Sequence, residues 1–147
     1  MTVGRMCRQD LLEVADLEQR SFSVPWSLES LNQSLERPEY LFLVAQEKGK
    51  VVGYGGLVRV LDEGDITNIV IDEAYRGQGF GKLITEALIS EGKKLGMREF
   101  TLVVRASNAA AIHIYESVGF VCEGVRRHFY ERPAEDALIM WKREPEW

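Results

Sequence analysis

The chain has 147 residues, a length typical of one domain with its own hydrophobic core, so we expect a single domain over residues 1–147. Its net charge of −5 argues against a compact nucleic-acid binder. The charge is distributed unevenly along the chain. Residues 1–73 contain 7 Lys and Arg against 13 Asp and Glu, whereas residues 74–147 contain 11 against 10. No apolar run approaches the ~20 residues of a bilayer span and the first residues lack an apolar signal core, so we expect a cytoplasmic protein with no membrane partner.

Two helices are predicted near the start. Asp10, with Glu13 three residues later, has the capping-box pattern, and the apolar residues behind it recur at helical spacing, which predicts a helix over residues 10–20. Pro25 then breaks the chain, and Ser27 is the expected N-cap of a second helix that ends before the next proline.

Short apolar runs rich in Val, Leu and Tyr follow. Residues 41–46 and 51–61 predict a hairpin with its turn at 48–50, and residues 66–71 predict a third strand. In the second half we predict a helix over 79–95, a strand over 100–104, a helix over 108–119 capped by Asn108, and strands over 120–125 and 137–142. This order predicts a mixed α/β (α+β) domain with a central sheet.

A glycine-rich turn joins the third strand to the third helix. A helix N-terminus presents unpaired N–H groups, and glycines let a phosphate approach them. The dinucleotide fingerprint fails because Lys82 stands at its last glycine, and the P-loop pattern fails because Leu83 stands at its Ser/Thr. The candidate phosphate cradle consists of Arg76, Gly77, Gln78, Gly79, Phe80, Gly81 and Lys82.

What remains, Arg-x-x-Gly-x-Gly between a strand and a helix, resembles the pyrophosphate-binding motif of the GNAT superfamily of acetyl-CoA-dependent N-acetyltransferases. Residues 104–120 resemble a second landmark of that family. The segments FSVPWS at 22–27, RRHFY at 126–130 and EDA at 135–137 are similar to the RimI-type branch, which acetylates the N-terminal alanine of a small-subunit ribosomal protein. The resemblance runs from about residue 5 to residue 142.

This resemblance implies the GNAT fold: a mixed central sheet of about seven strands with a splayed parallel pair, flanked by about four helices. Acetyl-CoA, the implied co-substrate, would lie between the strands at 68–71 and 101–104. The resemblance assigns the pantetheine arm to the backbone of Ile69, Val70 and Ile71, the pyrophosphate to residues 76–82, and a further contact to the side chain of Asn108. His and Cys residues are too few and too scattered for a metal site, so no metal is expected.

The resemblance makes Tyr115 the general acid that protonates the departing CoA thiolate. The spacing agrees, since Asn108, Ile112 and Tyr115 share one helix face. His113 lies about 200° around the helix from Tyr115 and is expected to face away. Tyr130, within the segment at 126–130, is a candidate substrate contact.

The general base is where the chain departs from the family, because Val103 stands where RimI-type proteins usually carry Glu. Tyr75 could order a water in its place, as a matching tyrosine does in related N-terminal acetyltransferases. Glu63 and Asp65 begin the cofactor strand and could face the substrate. The sequence leaves these alternatives open.

The expected acceptor is a protein or peptide N-terminus, with a ribosomal protein as the candidate. At pH 7 roughly 10–20% of an α-amine is neutral, against about 0.04% of a Lys amine, so a site without a strong base suits α-amines. The alternatives are a lysine, polyamine or other small amine as acceptor, or an acetyl-CoA-binding protein without catalysis. The acidic first half would form the substrate groove and the near-neutral second half would meet the anionic cofactor.

Overall fold

A computed structural model describes residues 2–22, 25–131 and 134–143. The strands are β1 (Thr2–Arg5), β2 (Tyr40–Glu47), β3 (Lys50–Val60), β4 (Glu63–Ile71), β5 (Glu99–Arg105), β6 (Val121–Glu131) and β7 (Ala134–Arg143). The helices are α1 (Leu11–Ser21), α2 (Leu28–Leu35), α3 (Phe80–Lys94) and α4 (Ala109–Val118), and single 3-10 turns lie at Arg8–Asp10 and Glu73–Tyr75.

The seven strands form one sheet in the order β1-β2-β3-β4-β5-β7-β6. Adjacent strands pair antiparallel, except that β4 and β5 are parallel. The expected mixed sheet with four flanking helices is therefore confirmed. The sequence patterns did not predict β1, because its four residues are mostly exposed and carry no alternation of apolar side chains.

The parallel pair separates part-way along its length. β4 and β5 pair from Glu63 with Glu99 to Ile66 with Leu102, and beyond this point the remainder of β4 pairs with β3 alone among the described strands. A bulge at Thr67 marks the separation, since Gly56 of β3 pairs with Asn68 whereas the next residue of β3 pairs with Ile66. The expected splayed pair is confirmed, and its gap opens just after Ile66.

Apolar cores cover both faces of the sheet. One lies beneath α3 and α4, and the other beneath α1 and α2. Gly55 allows the close approach of α3, because a Cβ at this position would lie 2.6 Å from a methyl carbon of Ile84. Residues of β4 therefore pack into both cores near the point where β5 leaves it, with Ile66 in one and Val70 in the other.

The predicted start of α1 was right in position and wrong in mechanism. Asp10 precedes the helix, but it makes no side-chain cap there. Its carboxylate instead accepts a hydrogen bond of 2.8 Å from the backbone N–H of Cys7, because a 3-10 turn leads into the helix. Glu13 does not turn back to Asp10 but accepts a bond of 2.9 Å from the N–H of Val51, which joins α1 to β3.

The other predicted caps are confirmed. Ser27 accepts a hydrogen bond from the N–H of Ser30 at the start of α2, and Asn108 accepts one from Ala111 at the start of α4. Gly119 follows α4 with a φ of 108°, a conformation that favours glycine. These local signals place α4 directly after the end of β5.

Candidate active site

A cavity of about 690 Å³ opens where β4 and β5 separate. It reaches from the end of α1, across the exposed edge of β4, to the first turns of α3 and α4. The predicted site residues on its wall are Ile69, Val70, Ile71, Tyr75, Arg76, Gly77, Gly79, Phe80, Gly81, Lys82, Asn108 and Tyr115. Gln78, the remaining residue of the glycine-rich turn, is exposed and does not line it.

The glycine-rich turn is shaped for an anion. Gly77 and Gly79 have φ angles of 78° and 86°, and a Cβ at either position would meet nothing within 4 Å. These glycines are therefore required by the backbone conformation and not by crowding. Gly79 is the N-cap of α3, the first turn of which carries no acidic side chain, so the unpaired N–H groups and the positive end of the helix face the cavity.

The turn is fastened to the end of β4. The guanidinium Nε of Arg76 donates a hydrogen bond of 3.3 Å to the carbonyl of Ile71. Gly81 lets the first turn of α3 lie beside α4, because an added Cβ would already contact Ile114 at 3.4 Å. Lys82 is exposed on the same turn, so the cavity wall carries two cationic side chains at this end.

The edge of β4 along the cavity offers backbone hydrogen-bonding groups. Ile69, Val70 and Ile71 pair with β3 on one side, and no described strand pairs with them on the other. An extended ligand could therefore bind there as an additional strand would. Asn108 lies nearby, with its side-chain oxygen already engaged by the N–H of Ala111 at 3.2 Å. This bond accounts for its N-cap role and leaves its amide NH2 group for any ligand contact.

Tyr115 lies on α4, half-buried against the core, with its ring edge-on to Phe120 at 6.0 Å between centroids. Burial, together with a smaller effect of the nearby Tyr130, raises its pKa to about 12. The hydroxyl therefore keeps its proton throughout the physiological range. Of the three residues that share its predicted face of α4, Asn108 and Tyr115 line the cavity and Ile112 does not.

His113 is exposed, as predicted for a surface residue, but it also contributes to the cavity wall. Ala110, Ile114 and Ser117 line the cavity from this side too. Their helical spacing is a signal that sequence reasoning could have used to find them.

Tyr130 lies at the end of β6 and is held by cation–π contact, with the guanidinium of Arg105 at 4.0 Å from its ring centroid. Arg105 also pairs with Glu135 at 3.3 Å, and Glu135 accepts a hydrogen bond of 2.6 Å from the N–H of Ser107. Since Tyr130 influences the pKa of Tyr115, these two tyrosines lie within electrostatic reach of each other.

Tyr75 contacts the cavity near the glycine-rich turn. Its ring packs edge-on against Phe80 at 6.0 Å, and the ammonium group of Lys50 lies 5.9 Å from the ring centroid. It lies four positions after Ile71, the last residue of β4, whereas Val103 lies on β5 beside the separation point. The structure thus places Tyr75 at the end of the cavity formed by the glycine-rich turn.

Asp65, Glu63 and Val103 lie on the sheet face opposite α3. The side chain of Val103 is 39% exposed, between the buried residues Leu102 and Val104. Asp65 pairs across the sheet with Thr101, next to the separation point, whereas Glu63 pairs with Glu99 at the far end of the parallel segment. Of the two predicted acidic residues, Asp65 is therefore the one that lies close to the gap.

A buried polar cluster beneath β4 was not anticipated. Glu18 is 1% exposed, and its carboxylate accepts hydrogen bonds from the hydroxyl of Tyr54 and, at 3.1 Å, from the side-chain amide of Asn68. The sequence contained a signal for its burial, because Glu18 lies on the same helix face as the apolar residues of α1, where a solvent-exposed carboxylate is not expected. Ser21 and Phe22 at the end of the same helix also line the cavity, and no local sequence pattern predicted that they would.

Two general features complete the description of the site. Across the described parts of the chain, no three His, Cys, Asp or Glu side chains are grouped so as to hold a metal ion. Within the same residues, no helix is long and apolar enough to cross a membrane.

Residues 11–120 match the model of the acetyltransferase (GNAT) family. The chain is 39% identical over 141 residues to the ribosomal protein bS18-alanine N-acetyltransferase of Escherichia coli K12, covering 95% of each protein. Its fold superposes on the crystal structure of the ribosomal-protein-S18-alanine N-acetyltransferase from Escherichia coli with a TM-score of 0.89 at 36% identity, covering 99% of this chain and 95% of that one. Ard1 from Thermoplasma volcanium superposes with a TM-score of 0.86 at 27% identity over 99% of this chain and 98% of that one.

Proposed function

The chain belongs to the GNAT acetyltransferase family and is an acetyl-CoA-dependent N-acetyltransferase, and on this premise we propose that its acceptor is the N-terminal α-amine of a protein. The candidate is the N-terminal alanine of ribosomal protein bS18, which the name of the Escherichia coli relative specifies for that enzyme. The observation that carries the proposal is the 39% identity over 95% of both chains, an alignment long enough to include all the residues that line the cavity. We further propose that residues 1–147 act as one domain in the cytoplasm.

We assign acetyl-CoA to the cavity along β4. The pyrophosphate suits the N–H groups of the glycine-rich turn, with Arg76 and Lys82 supplying positive charge. The pantetheine arm suits the unpaired backbone edge of Ile69–Ile71, and Asn108 contacts it from α4. Gln78 contributes its backbone conformation alone, since its side chain lies outside the cavity wall.

In this proposal Tyr115 is the general acid. When an amine replaces CoA on the acetyl carbonyl, the thiolate leaves and needs a proton. Burial keeps the pKa of Tyr115 near 12, so the hydroxyl is protonated and ready to donate at neutral pH. Its position on the cavity wall supports this role.

The acceptor amine is proposed to approach from the opposite face, where Asp65, Glu63 and Tyr130 lie. Negative charge on that face suits an ammonium group and a basic peptide behind it. An α-amine has a pKa near 7.7–8.0 and a lysine amine near 10.4, so an α-amine demands less of the base. Since Val103 offers no carboxylate, this difference favours protein N-termini.

Two alternative functions compete with this proposal, and Val103 motivates only the second of them. If the site handles amines differently from its relatives, the acceptor is a lysine side chain, a polyamine or another small amine. If no group replaces the missing carboxylate, the protein binds acetyl-CoA without transferring the acetyl group. Both alternatives keep the same acetyl-CoA cavity. They differ in whether an amine is acetylated there.

The test follows release of CoA thiol with three peptides at equal concentration. One begins with Ala-Arg, one begins with Met, and one has a blocked N-terminus and an internal lysine. We expect the Ala-Arg peptide to react fastest, and N-acetylation of the same peptide to abolish the reaction. Preference for the lysine peptide would indicate the second function, and acetyl-CoA binding without thiol release would indicate the third.

A further inference from the structure

We propose that Asp65 receives the ammonium group of the acceptor and accepts its proton, the task for which Val103 has no suitable atom. This inference rests on the proposed acetyl transfer to an amine. It is carried by the placement of Asp65 on β4, beside the point where β4 and β5 separate.

Asp65 occupies the last position before the gap at which a side chain can face the acceptor. It pairs with Thr101, and the following pair, Ile66 with Leu102, is the last between the two strands. Ile66 is buried in the core beneath α3, and a Cβ at Gly64 would lie 2.9 Å from the ring of Phe100 in that same core. Because side chains alternate along a strand, the exposed Asp65 faces the other way, toward the open face.

Val103 shares this face on the neighbouring strand. It lies two residues beyond Thr101, and its neighbours Leu102 and Val104 both belong to the core beneath α3. Adjacent strands lie about 4.8 Å apart and residues i and i+2 about 7 Å apart, so Asp65 and Val103 are diagonal neighbours around one spot. A carboxylate at Asp65 therefore reaches the region that a longer acidic side chain at Val103 would reach.

The other carboxylates nearby are already engaged or farther away. Glu18 is buried beneath Tyr54 and Asn68, and Glu135 pairs with Arg105. Glu63 faces the same way as Asp65 but lies two residues farther from the gap, opposite Glu99. Asp65 itself has no hydrogen bond or ion pair with any residue that the structure describes.

The surroundings of Asp65 suit a proton acceptor. Val58 on β3 and Thr101 on β5 flank it across the sheet, and neither carries a charge. On this face its nearest charged neighbours are Glu63 along β4 and Glu99, which lies two residues before Thr101 on β5 and pairs with Arg143. Arg105 lies farther along β5, toward the gap. Desolvation by these surroundings raises the pKa of Asp65, which brings its basicity closer to that of an amine.

The proposed proton transfers balance. The ammonium gives one proton to the Asp65 carboxylate, and the neutral amine then forms a C–N bond to the acetyl carbonyl carbon. The C–S bond breaks, and Tyr115 protonates the departing CoA thiolate. The second proton on the new nitrogen restores the Tyr115 hydroxyl, and the Asp65 proton passes to water. One ammonium and one acetyl-CoA thus yield one acetamide, one CoA thiol and one proton.

The test compares Asp65→Asn and Asp65→Glu with the unaltered protein, using the Ala-Arg peptide and measuring kcat and KM between pH 6 and 10. We expect Asp65→Asn to lower kcat/KM at least about tenfold at pH 7, because about 80–90% of the α-amine is then protonated. The deficit should shrink to less than about threefold at pH 9.5, where the amine is already neutral. Asp65→Glu should retain activity, and acetyl-CoA affinity should stay the same in both variants.

A second substitution makes the test specific. Adding Val103→Glu to Asp65→Asn places a carboxylate on the same face of β5 and should restore activity at pH 7. Glu99→Gln is the matched control, since Glu99 lies on this face of β5 but away from the gap. It should leave the pH profile unchanged.

Three results would overturn the inference: an undiminished rate at pH 7 in Asp65→Asn, an equal loss at every pH that Val103→Glu does not restore, or a larger loss in Glu63→Gln than in Asp65→Asn. The proposed function fails separately. If the unaltered protein does not acetylate the peptide α-amine at any pH, the acceptor has been wrongly assigned, whatever the variants do.

Discussion

The side-chain amide of Asn68 donates a hydrogen bond of 3.1 Å to the buried carboxylate of Glu18. This bond joins α1 to β4 immediately after the bulge at which β5 separates, and the hydroxyl of Tyr54 on β3 donates to the same carboxylate. Glu18 thereby connects one helix and two strands beneath the floor of the cavity. Burial of Tyr54, together with its hydrogen bond to Glu18 and the negative charge of that carboxylate, raises the pKa of Tyr54 far above its usual range, so it remains a donor.

Replacement of Glu18 by Ala should be strongly destabilising. The hydroxyl of Tyr54, the side-chain amide of Asn68 and the backbone N–H of Trp26 lose their acceptor. Each buried group left unsatisfied costs about 1–3 kcal/mol, so we expect a loss of about 2–5 kcal/mol in the free energy of unfolding. Urea denaturation measures this change. Asp16→Ala is the control on the same helix, because its exposed ion pair with Arg20 should contribute less than about 1 kcal/mol. Equal losses in the two variants would contradict the structural role of Glu18.

Substitution of Gly79 by Ala should separate cofactor binding from backbone strain. Gly79 has a φ of 86° at the N-cap of α3, where a non-glycine residue costs about 1–2 kcal/mol. Gly49 has a φ of 78° in the turn between β2 and β3 and is equally uncrowded, so Gly49→Ala is a matched control. Both variants should lose similar stability in thermal unfolding.

Acetyl-CoA affinity should distinguish these two glycine variants. We expect the dissociation constant measured by calorimetry to rise at least about tenfold in Gly79→Ala, because Gly79 lies on the cavity wall at the N-cap of α3, in the turn proposed to bind the pyrophosphate. Gly49→Ala should bind acetyl-CoA as the unaltered protein does. Unchanged affinity in Gly79→Ala would count against the pyrophosphate assignment.

Replacement of Tyr115 by Phe should lower turnover roughly 10²–10⁴-fold, the range expected for loss of a general acid. The ring and its packing against Phe120 are retained, so acetyl-CoA affinity should change little. Because burial holds the pKa of Tyr115 near 12, its ionisation should not limit the unaltered enzyme below about pH 10. Turnover and affinity are measured on the same preparations, and undiminished turnover would exclude the assigned role.

Asp72 should contribute stability that depends on pH. It is buried at the end of β4, where it accepts a hydrogen bond of 3.0 Å from the N–H of Ala74 and pairs with Arg20 at 3.4 Å. The Ala74 N–H and the positive charges of Arg20 and Lys50 lower the pKa of Asp72 below its usual value. A lowered folded-state pKa means that the stabilisation is present above the unfolded-state pKa of about 3.9 and is lost as the pH falls through the folded-state value.

Asp72→Asn should therefore be less stable than the unaltered protein at pH 7, by about 1 kcal/mol, and the difference should narrow as the pH falls below about 3.9 and through the lowered folded-state pKa. Urea denaturation at several pH values measures both quantities. A constant difference between pH 7 and pH 3 would show that the charge of Asp72 contributes nothing.

Local chemistry made much of this molecule predictable. Asn108 and Ser27 have side chains that cap the helices behind them, and Gly79 and Gly119 adopt backbone angles that other residues avoid, so α2, α3 and α4 could be placed from neighbouring residues alone. Asp10 shows the limit of such patterns. Because a 3-10 turn precedes α1, its carboxylate accepts a hydrogen bond from the N–H of Cys7 and does not cap the helix.

Other features depended on residues far apart in the sequence. Glu18, Tyr54 and Asn68 come from three elements, and Asp65 and Val103 come from two strands whose register no local pattern specifies. The insertion of β7 between β5 and β6 likewise follows from pairing and not from chain order.

By itself, therefore, the sequence determined the kinds of element, the glycine-rich turn and the family resemblance, because these depend on spacing along the chain. The tertiary structure decided where β4 and β5 separate and which side chains meet there. Pairing across the sheet ends after Ile66, the bulge at Thr67 turns β4 away, and Asp65 is left at the gap beside a valine. Those relationships arise from packing between distant segments, since each strand takes its register from its neighbours.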